Sequence, residues 1–359
     1  MITDEYIIKE LIKIINKYDA KVDNKKEIPE SKEKWITIKG THILLKDGET
    51  IGSAFKRVTG QSLGKSLKSN YKPKYKENKE YKEVLANVKE NNNRNITPDE
   101  IINKAVKTFS DKFSEKELRD RIDFADEYNA GIKAKNLFTQ KLYSNKHGEY
   151  NRERAELHKK IIDELFENSK TAKPKDGKAP TFMILGGRGG SGKGNFGKEE
   201  KGCQVYNKKD YIVLDADAIK ERLKPPYNGY NAYEVHEESS DILTQALAKA
   251  RKEGLNVVWD GTMKTLSSVE KRLKPFMESE HNYNIEMYYM HLPREKAAER
   301  AIGRFMEDDE GRYVPLDEIL KMKDNEENFD KLKKYASKWA FYNNDVPYGT
   351  PPKLVDKNF

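Results

Sequence analysis

The chain is almost without cysteine: Cys203 stands alone among 359 residues. An internal disulfide is thereby excluded, and a reducing compartment fits the composition. Cys203 has no histidine or cysteine close to it in sequence, so it reads as an ordinary free thiol. Long hydrophobic runs are missing as well. No window reaches the ~18 uninterrupted apolar residues of a membrane span, so no membrane partner is expected. The first residues, Met1-Ile-Thr-Asp-Glu-Tyr6, lack the basic stretch and apolar run of a secretory leader, which makes a cytoplasmic location the expectation. There is no internal repeat. Nor is one sign of charge in large excess: 68 Lys and Arg face 60 Asp and Glu, a net charge of +8. The two signs are interleaved, so binding to a polyanion is permitted rather than demanded.

What the chain has is length and polarity. Its 359 residues suffice for two or three domains. Charged and apolar residues each make up 36 %, which is polar for a globular protein. Long exposed helices or mobile segments beside a compact domain are therefore expected. The stretch that carries most information is Pro180-Thr-Phe-Met-Ile-Leu-Gly-Gly-Arg-Gly-Gly-Ser-Gly-Lys193. It is an apolar strand running into a glycine-rich turn. Gly187, Gly192 and Lys193 match G-x-x-x-x-G-K of the phosphate-binding P-loop. In such a loop, here Gly187, Gly189, Gly190, Ser191, Gly192, Lys193 and Gly194, backbone N–H groups converge on phosphate oxygens and the lysine adds a cation. ATP with Mg²⁺ is the expected cofactor. One position departs from the pattern: Gly194 stands where Ser or Thr would ligate Mg²⁺. Ser191, Asn195 or a water are the candidates to fill in.

Pattern and composition divide the chain. Residues 1–62 read as a module of an amphipathic helix (Ile7, Ile8, Leu11, Ile12, Ile15) and a β-hairpin, Trp35-Ile-Thr-Ile paired with His42-Ile-Leu-Leu. Residues 63–95, rich in Lys, Asn, Glu and Tyr, read as a solvated linker, with a nucleic-acid-binding arm as the alternative. A helical region spans 96–170, opened by Thr97-Pro-Asp-Glu100 with a capping residue, a proline at N1 and acids in the first turn. A second linker covers 171–180. From 181 to 359, strands alternate with helices. Strands are predicted over 182–185, 211–214, 255–259 and 283–292, and helices through 223, over 233–253 and after Pro293. This predicts an α/β fold: a P-loop kinase-like parallel sheet flanked by helices, behind a mainly helical N-terminal region containing a β-hairpin. The glycines Gly194, Gly197 and Gly202 weaken any helix after the loop, by up to about 1 kcal/mol each.

Three strand ends carry chemistry: Gly187–Lys193, Asp215/Asp217 and Asp260/Thr262. Phosphoryl transfer needs the phosphates positioned, their charge neutralised and the acceptor hydroxyl oriented. Asp217 is the first choice for the general base, with an N-cap aspartate as the non-catalytic alternative. Asp215 is structural or metal-directed. Asp260 follows an apolar strand as a Walker-B carboxylate does, and either holds Mg²⁺ through water or binds substrate. Arg300, Arg304 and Arg312 are expected to neutralise phosphate charge, with Glu307-Asp-Asp-Glu-Gly-Arg312 as a loop closing over ATP. His236 and Glu238 are assigned to the acceptor pocket.

Together these residues resemble the zeta toxin family of P-loop kinases. The resemblance rests on Gly187–Lys193, on Asp215-Ala-Asp217 with Arg222 downstream, on His236-Glu-Glu-Ser239, and on Val-Val-Trp-Asp260-Gly-Thr-Met-Lys264. Ala298-Glu-Arg300-Ala-Ile-Gly-Arg304 and Gly311-Arg-Tyr-Val-Pro315 complete it, over residues 180–345. It implies phosphorylation of a sugar hydroxyl of UDP-N-acetylglucosamine with ATP and Mg²⁺. It further implies Lys193 on the phosphates, Asp217 as base, Asp260, Thr262 and Lys264 on the acceptor, and Arg300 and Arg312 on the transferring phosphate. The partners implied are a nucleotide-sugar substrate and an antitoxin, or residues 1–170 as an inhibitor in cis. The hairpin resembles segments of phage head-morphogenesis polypeptides, which would associate the chain with a phage particle. Two other readings stand beside the toxin kinase: a P-loop kinase of a nucleic-acid end or an antibiotic, and a nucleotide-binding assembly module without turnover.

Overall fold

The computed structural model describes residues 34–38, 41–45, 78–175, 177–307, 311–347 and 350–359. The helix expected within residues 1–30, the first part of the expected linker, and positions 308–310 of the arginine loop lie outside the described residues. The chain divides into two compact units, residues 1–68 and 69–359. In the first, strands β1 (Lys34–Ile38) and β2 (Thr41–Leu45) pair antiparallel with Trp35 opposite Leu44 and Ile36 opposite Ile43, the expected hairpin.

The second unit is built on a six-stranded sheet. Its strands are β3 (Thr181–Gly186), β4 (Ile212–Asp215), β5 (Val257–Asp260), β6 (Asn284–His291), β7 (Lys338–Asn343) and β8 (Lys353–Lys357), in the order β4-β5-β3-β6-β7-β8. The first five run parallel, as expected, and β8 closes the edge antiparallel to β7. Strands buried on both faces need continuous apolar runs, which Phe182–Leu185 and Val257–Trp259 supply. Phe182 stacks on Phe276, with centroids 3.8 Å apart. Each such side chain removed from water contributes roughly 1.5–3 kcal/mol. β7 and β8 were not expected from the pattern. Lys338-Trp-Ala-Phe-Tyr-Asn343 has no turn signal before it that separates strand from helix, and β8 alternates too weakly to stand out.

The helices of this unit are α1 (Lys79–Asn92), α2 (Pro98–Thr108), α3 (Glu115–Lys135), α4 (Thr139–Tyr143) and α5 (Arg152–Leu165) ahead of the sheet. Within it come α6 (Ala216–Arg222), α7 (His236–Lys252), α8 (Leu266–Met277), α9 (Arg294–Glu307), α10 (Leu316–Leu320) and α11 (Asn325–Leu332). Two expectations are corrected here. First, residues 79–92, read as solvated linker, form a helix capped by Asn78 and anchored by Tyr81, fully buried against Trp339 and Phe341. A single aromatic in a charged segment is a weak periodic signal, yet its burial outweighs the helix's polar average. Second, α2 and α3 join the unit built on the sheet. Ile101, Ile102, Leu118 and Ile122 share one apolar cluster with Ala298, Ile302 and Phe305 of α9. The Thr97 capping box forms as expected, with the Thr97 hydroxyl accepting from the Glu100 N–H.

Candidate functional site

The carboxyl ends of β3, β4 and β5 meet because parallel strands place their ends on one edge. Register makes this specific: Asp260 lies opposite Asp215 on one side and Leu185 on the other. The edge opens into a cavity of about 400 Å³, within the size range of small-molecule sites. Lys193, Asp215, Asp217, His236, Asp260, Thr262, Lys264, Arg312 and Gly189 all line it, so most of the expected site residues converge.

The glycine-rich loop leaves β3 as expected. Gly187 (φ +141°) and Gly190 (φ +82°) adopt backbone angles that side chains avoid, and a Cβ at Gly190 would strike the carbonyl oxygen of Ala297. Gly192 likewise abuts the Asn344 side chain, whose Nδ2 donates to the Ser191 carbonyl (2.8 Å). The Ser191 hydroxyl is buried without a hydrogen-bond partner. Lys193 Nζ donates to the Arg188 carbonyl (3.3 Å) and lies 3.7 Å from Asp260 Oδ1. Beyond the loop the chain departs from expectation. Instead of a weakened α-helix there are two short 3₁₀ turns, Lys193–Gly197 and Glu199–Lys201. Gly194, Gly197 and Gly202 leave too little propensity to nucleate a helix. Gly194 has open space around it: a Cβ there would meet nothing within 4 Å.

Asp215 ends β4 and caps α6, accepting from the Asp217 N–H (2.9 Å). The capping role thus belongs to Asp215, and the Asp217 carboxylate is left to face the cavity. There Lys220 Nζ lies 3.0 Å from its Oδ1 and Arg312 Nη1 3.6 Å from its Oδ2. Burial alone would raise the Asp217 pKa, but Lys220 and Arg312 outweigh it and hold the carboxyl well below its usual range. Asp260 goes the other way. Burial, reinforced by Asp215 and Asp217 against the opposing Lys193, pushes it up to about 6. Asp215 is raised too, by burial and then by Asp217. Like charges in a low dielectric separate in this manner.

Another wall of the cavity is formed by Thr262, Lys264 and α7. Lys264 Nζ pairs with Glu318 Oε2 (2.7 Å), and the Tyr233 hydroxyl donates to Glu318 Oε1 (2.9 Å). The Thr262 hydroxyl accepts from the Lys264 N–H (3.3 Å). His236 lines the cavity at its solvent-exposed rim, and desolvation followed by Lys220 lowers its pKa.

Three assignments need correction or refinement. Glu238, expected in an acceptor pocket, does not reach the cavity. It is fully buried on the other face of α7, where Arg154 Nη2 (2.8 Å) and His158 Nε2 (2.6 Å) hold it. Two residues along a helix rotate the side chain by about 200°, so Glu238 points away from the wall that His236 forms, and its partners on α5 were invisible locally. Arg300 does not line the cavity; its Nη2 donates to the Asn344 carbonyl (3.2 Å), on the side of the loop where Asn344 also holds Ser191. Arg304 does not line the cavity, though the charges of Arg312, Asp217 and Asp215 reach it; its Nε is buried and unpartnered, as is Arg312 Nε. Burial and then Arg312 lower the Arg304 pKa.

Sequence reasoning missed Lys220, Tyr233, Glu318 and Arg272, which also line the cavity. Only Lys220, three residues beyond Asp217 on a short helix, carried a readable spacing signal. It also missed what Arg188 does inside the loop. Its guanidinium turns away from the cavity to Glu326, with Nη2 to Oε2 at 2.6 Å and Nε to the Met322 carbonyl at 2.9 Å. His291 Nδ1 contacts the same carboxylate (2.8 Å).

A nucleotide and a divalent cation fit these residues. The loop is shaped by main chain and glycine, it offers an unsatisfied Ser191 hydroxyl, and Asp215 and Asp260 are paired carboxyls whose mutual repulsion a cation would relieve. Among the described residues no group of three His, Cys, Asp or Glu side chains gathers as a metal cluster. Mg²⁺ held by one or two carboxylates with phosphates and water needs none. No helix among the described residues is long and apolar enough to cross a membrane.

Residues 162–345, slightly more than half of the chain, match the family model described as Zeta toxin. No curated protein matches the chain. Solved structures resemble it more distantly. One is from the PezAT chromosomal toxin–antitoxin system of Streptococcus pneumoniae, at 14 % identity and a TM-score of 0.44, covering 58 % of this chain and 82 % of that one. Another is AvrRxo1-ORF1:-ORF2 with ATP, at 17 % identity and 0.46, covering 58 % and 68 %. A third is a putative kinase from Chloroflexus aurantiacus, at 13 % identity and 0.32, covering 41 % and 78 %.

Proposed function

The chain belongs to the zeta toxin family, and on that premise we propose that it transfers the γ-phosphate of ATP to a hydroxyl of a nucleotide sugar of the UDP-N-acetylglucosamine type. The observation that carries this reading is the convergence of Lys193, Asp215, Asp217, Asp260 and Arg312 on one cavity edge. In this reading Lys193 leaves the Arg188 carbonyl for the phosphates. The loop N–H groups orient them, and Arg312, with the charge of Arg304 in reach, offsets the charge spread over the transferring group. Asp217 stays ionised beside two cations, so its work is to accept and align the acceptor hydroxyl; phosphoryl transfer asks little more of a base. Thr262 and Lys264 hold the acceptor, with His236 on the facing wall. Asp260, Asp215 and the Ser191 hydroxyl would hold Mg²⁺, which supplies charge neutralisation on the phosphates when bound. An antitoxin, or residues 1–170 acting in cis, is the proposed partner.

The test is ADP release with ATP and UDP-N-acetylglucosamine, comparing the parent protein with Lys193→Ala and Asp217→Asn. Loss of about 10²-fold or more in each variant supports the reading. Equal rates in all three proteins would overturn it.

A further inference from the structure

Two walls of the cavity are held from behind by one short helix, α11. Of its first four residues, three carry polar side chains shut away from water: Asn325 and Glu326 fully, Asn328 almost so. Asn325 and Asn328, three residues apart, share one face of the helix, and Glu326 is turned from Asn325 by about 100°. The two faces serve different walls. Glu326 holds the glycine-rich loop through Arg188, with Nη2 to Oε2 at 2.6 Å, and Arg188 Nε donates to the Met322 carbonyl just ahead of the helix (2.9 Å). Asn325 and Asn328 hold the turn after β5. Asn325 Nδ2 donates to the Thr262 carbonyl (2.5 Å), and Asn328 Nδ2 to the carbonyls of Met263 (2.9 Å) and Lys264 (3.0 Å). Phe329 anchors the helix to the sheet, buried against Tyr289 and Phe341 with ring centroids 5.3 and 5.8 Å away.

The turn needs that grip. Met263 sits at φ +56°, a left-handed angle that a residue with a side chain seldom adopts. Its side chain is buried, and a Cβ at Gly186 would strike its sulfur. Such a conformation persists only where its surroundings fix it. Among the described residues no main-chain N–H reaches the carbonyls of Thr262, Met263 or Lys264, so the two asparagines are what satisfies them. Asn325 Oδ1 is buried without a hydrogen-bond partner. A buried orphan acceptor costs stability, so an apolar residue would suit this position better if filling space were its task. The amide is matched at one end only, and that end is on the turn.

Resting on the reading of this cavity as a kinase site that takes its acceptor at Thr262 and Lys264, we infer that Asn325 and Asn328 are positioning residues for the acceptor. α11 is then the strut that sets this turn against the glycine-rich loop. Neither asparagine lines the cavity. They act through Thr262 and Lys264, which do. The gap between the two walls matters to in-line transfer because the reacting atoms must be brought to roughly 3–3.5 Å.

The test compares the full-length parent with Asn328→Ala, Asn325→Ala and Glu326→Gln by three measurements: turnover with ATP and UDP-N-acetylglucosamine, calorimetric ATP binding, and amide hydrogen exchange. Asn328→Ala should raise the acceptor KM about tenfold and leave the ATP dissociation constant within about twofold. The Lys264 amide, which donates to the Thr262 hydroxyl, should exchange about tenfold faster while the amides of 187–193 keep their protection. Asn325→Ala removes one hydrogen bond instead of two and should shift the same quantities by a smaller factor, which covers failure of Asn328→Ala to fold. Glu326→Gln should show the reverse pattern, with weaker ATP binding and faster exchange in the loop. A role in stability alone would loosen both walls together in the asparagine variants, and that result overturns the strut. So does an acceptor KM that stays unchanged, or one that rises with the Lys264 amide unaffected. Selective loosening of the turn in proteins that transfer no phosphate to UDP-N-acetylglucosamine, the parent included, would support the strut and overturn the kinase reading.

Discussion

Arg188, in the middle of the glycine-rich loop, is locked in a bidentate pair with Glu326 of α11, both side chains being almost fully buried. This bulky side chain inside the loop is thus a tether. It fixes the cradle to a helix far away in sequence and keeps the phosphate side clear. Burial would raise the Glu326 pKa, yet Arg188 and His291 outweigh it and bring it down to about 2. Glu326→Gln leaves a buried guanidinium without its partner and is expected to cost about 3–5 kcal/mol. Denaturant unfolding measures this, and ATP binding should weaken in parallel. Because the folded pKa is depressed, the stabilisation is present above the ordinary value of 4.5 and fades as pH falls from there through about 2.

Asp260 carries the opposite sign. Its folded pKa, raised to about 6 from 3.8, means the fold disfavours its charged form. The cost is absent below about pH 4 and complete above about pH 6, so stability drops as pH rises through that window. Asp260→Asn is expected to raise the melting temperature at pH 8 and leave it little changed at pH 4, since one pKa unit corresponds to about 1.4 kcal/mol. The same substitution should weaken Mg²⁺-dependent ATP binding. A variant less stable than the parent at pH 8 would contradict the assignment.

Gly194 is where the loop departs from the usual hydroxyl. Nothing lies within 4 Å of a Cβ placed there, so Gly194→Ser introduces no clash. Folding stability should hold or rise by up to about 1 kcal/mol. If Mg²⁺ binds beside the loop, the added hydroxyl should lower the Mg²⁺ concentration needed for half-maximal ATP binding several-fold. Titration of Mg²⁺ at fixed ATP reads the change directly.

Glu238 separates a structural carboxylate from a catalytic one. With Arg154 and His158 as partners its pKa falls to about 2, despite burial pulling upward. Glu238→Gln should destabilise the protein by about 3 kcal/mol or more by stranding Arg154. The KM for the acceptor should stay within about twofold, because the side chain points to α5 and away from the cavity. A selective rise in KM with unchanged stability would return Glu238 to the acceptor pocket.

The strand ends were readable in advance because apolar runs and glycines carry their meaning locally. Phe182–Leu185 followed by Gly187–Lys193 spells strand and loop without knowledge of the rest, and Asp215 and Asp260 closing two other strands spell a shared edge. Tyr81, Arg188, Glu238 and Arg272 were opaque for a common reason. Each owes its role to partners distant in sequence: Trp339 and Phe341 for Tyr81, Glu326 for Arg188, Arg154 for Glu238, Trp259 and Ser240 for Arg272. The absent helix after the loop was half legible, since Gly194, Gly197 and Gly202 marked its weakness.

From the order of its residues alone this chain determined a parallel α/β sheet, a phosphate-type loop on its first strand and a row of carboxylates beside it. These follow from backbone propensity and from periodicity, which act over a few residues. Tertiary structure decided which carboxylates are free, which arginines anchor and which face the cavity, and that α1 to α3 complete the same body as the sheet. Those outcomes depend on burial and on charges brought together from far along the chain, and no local pattern encodes them.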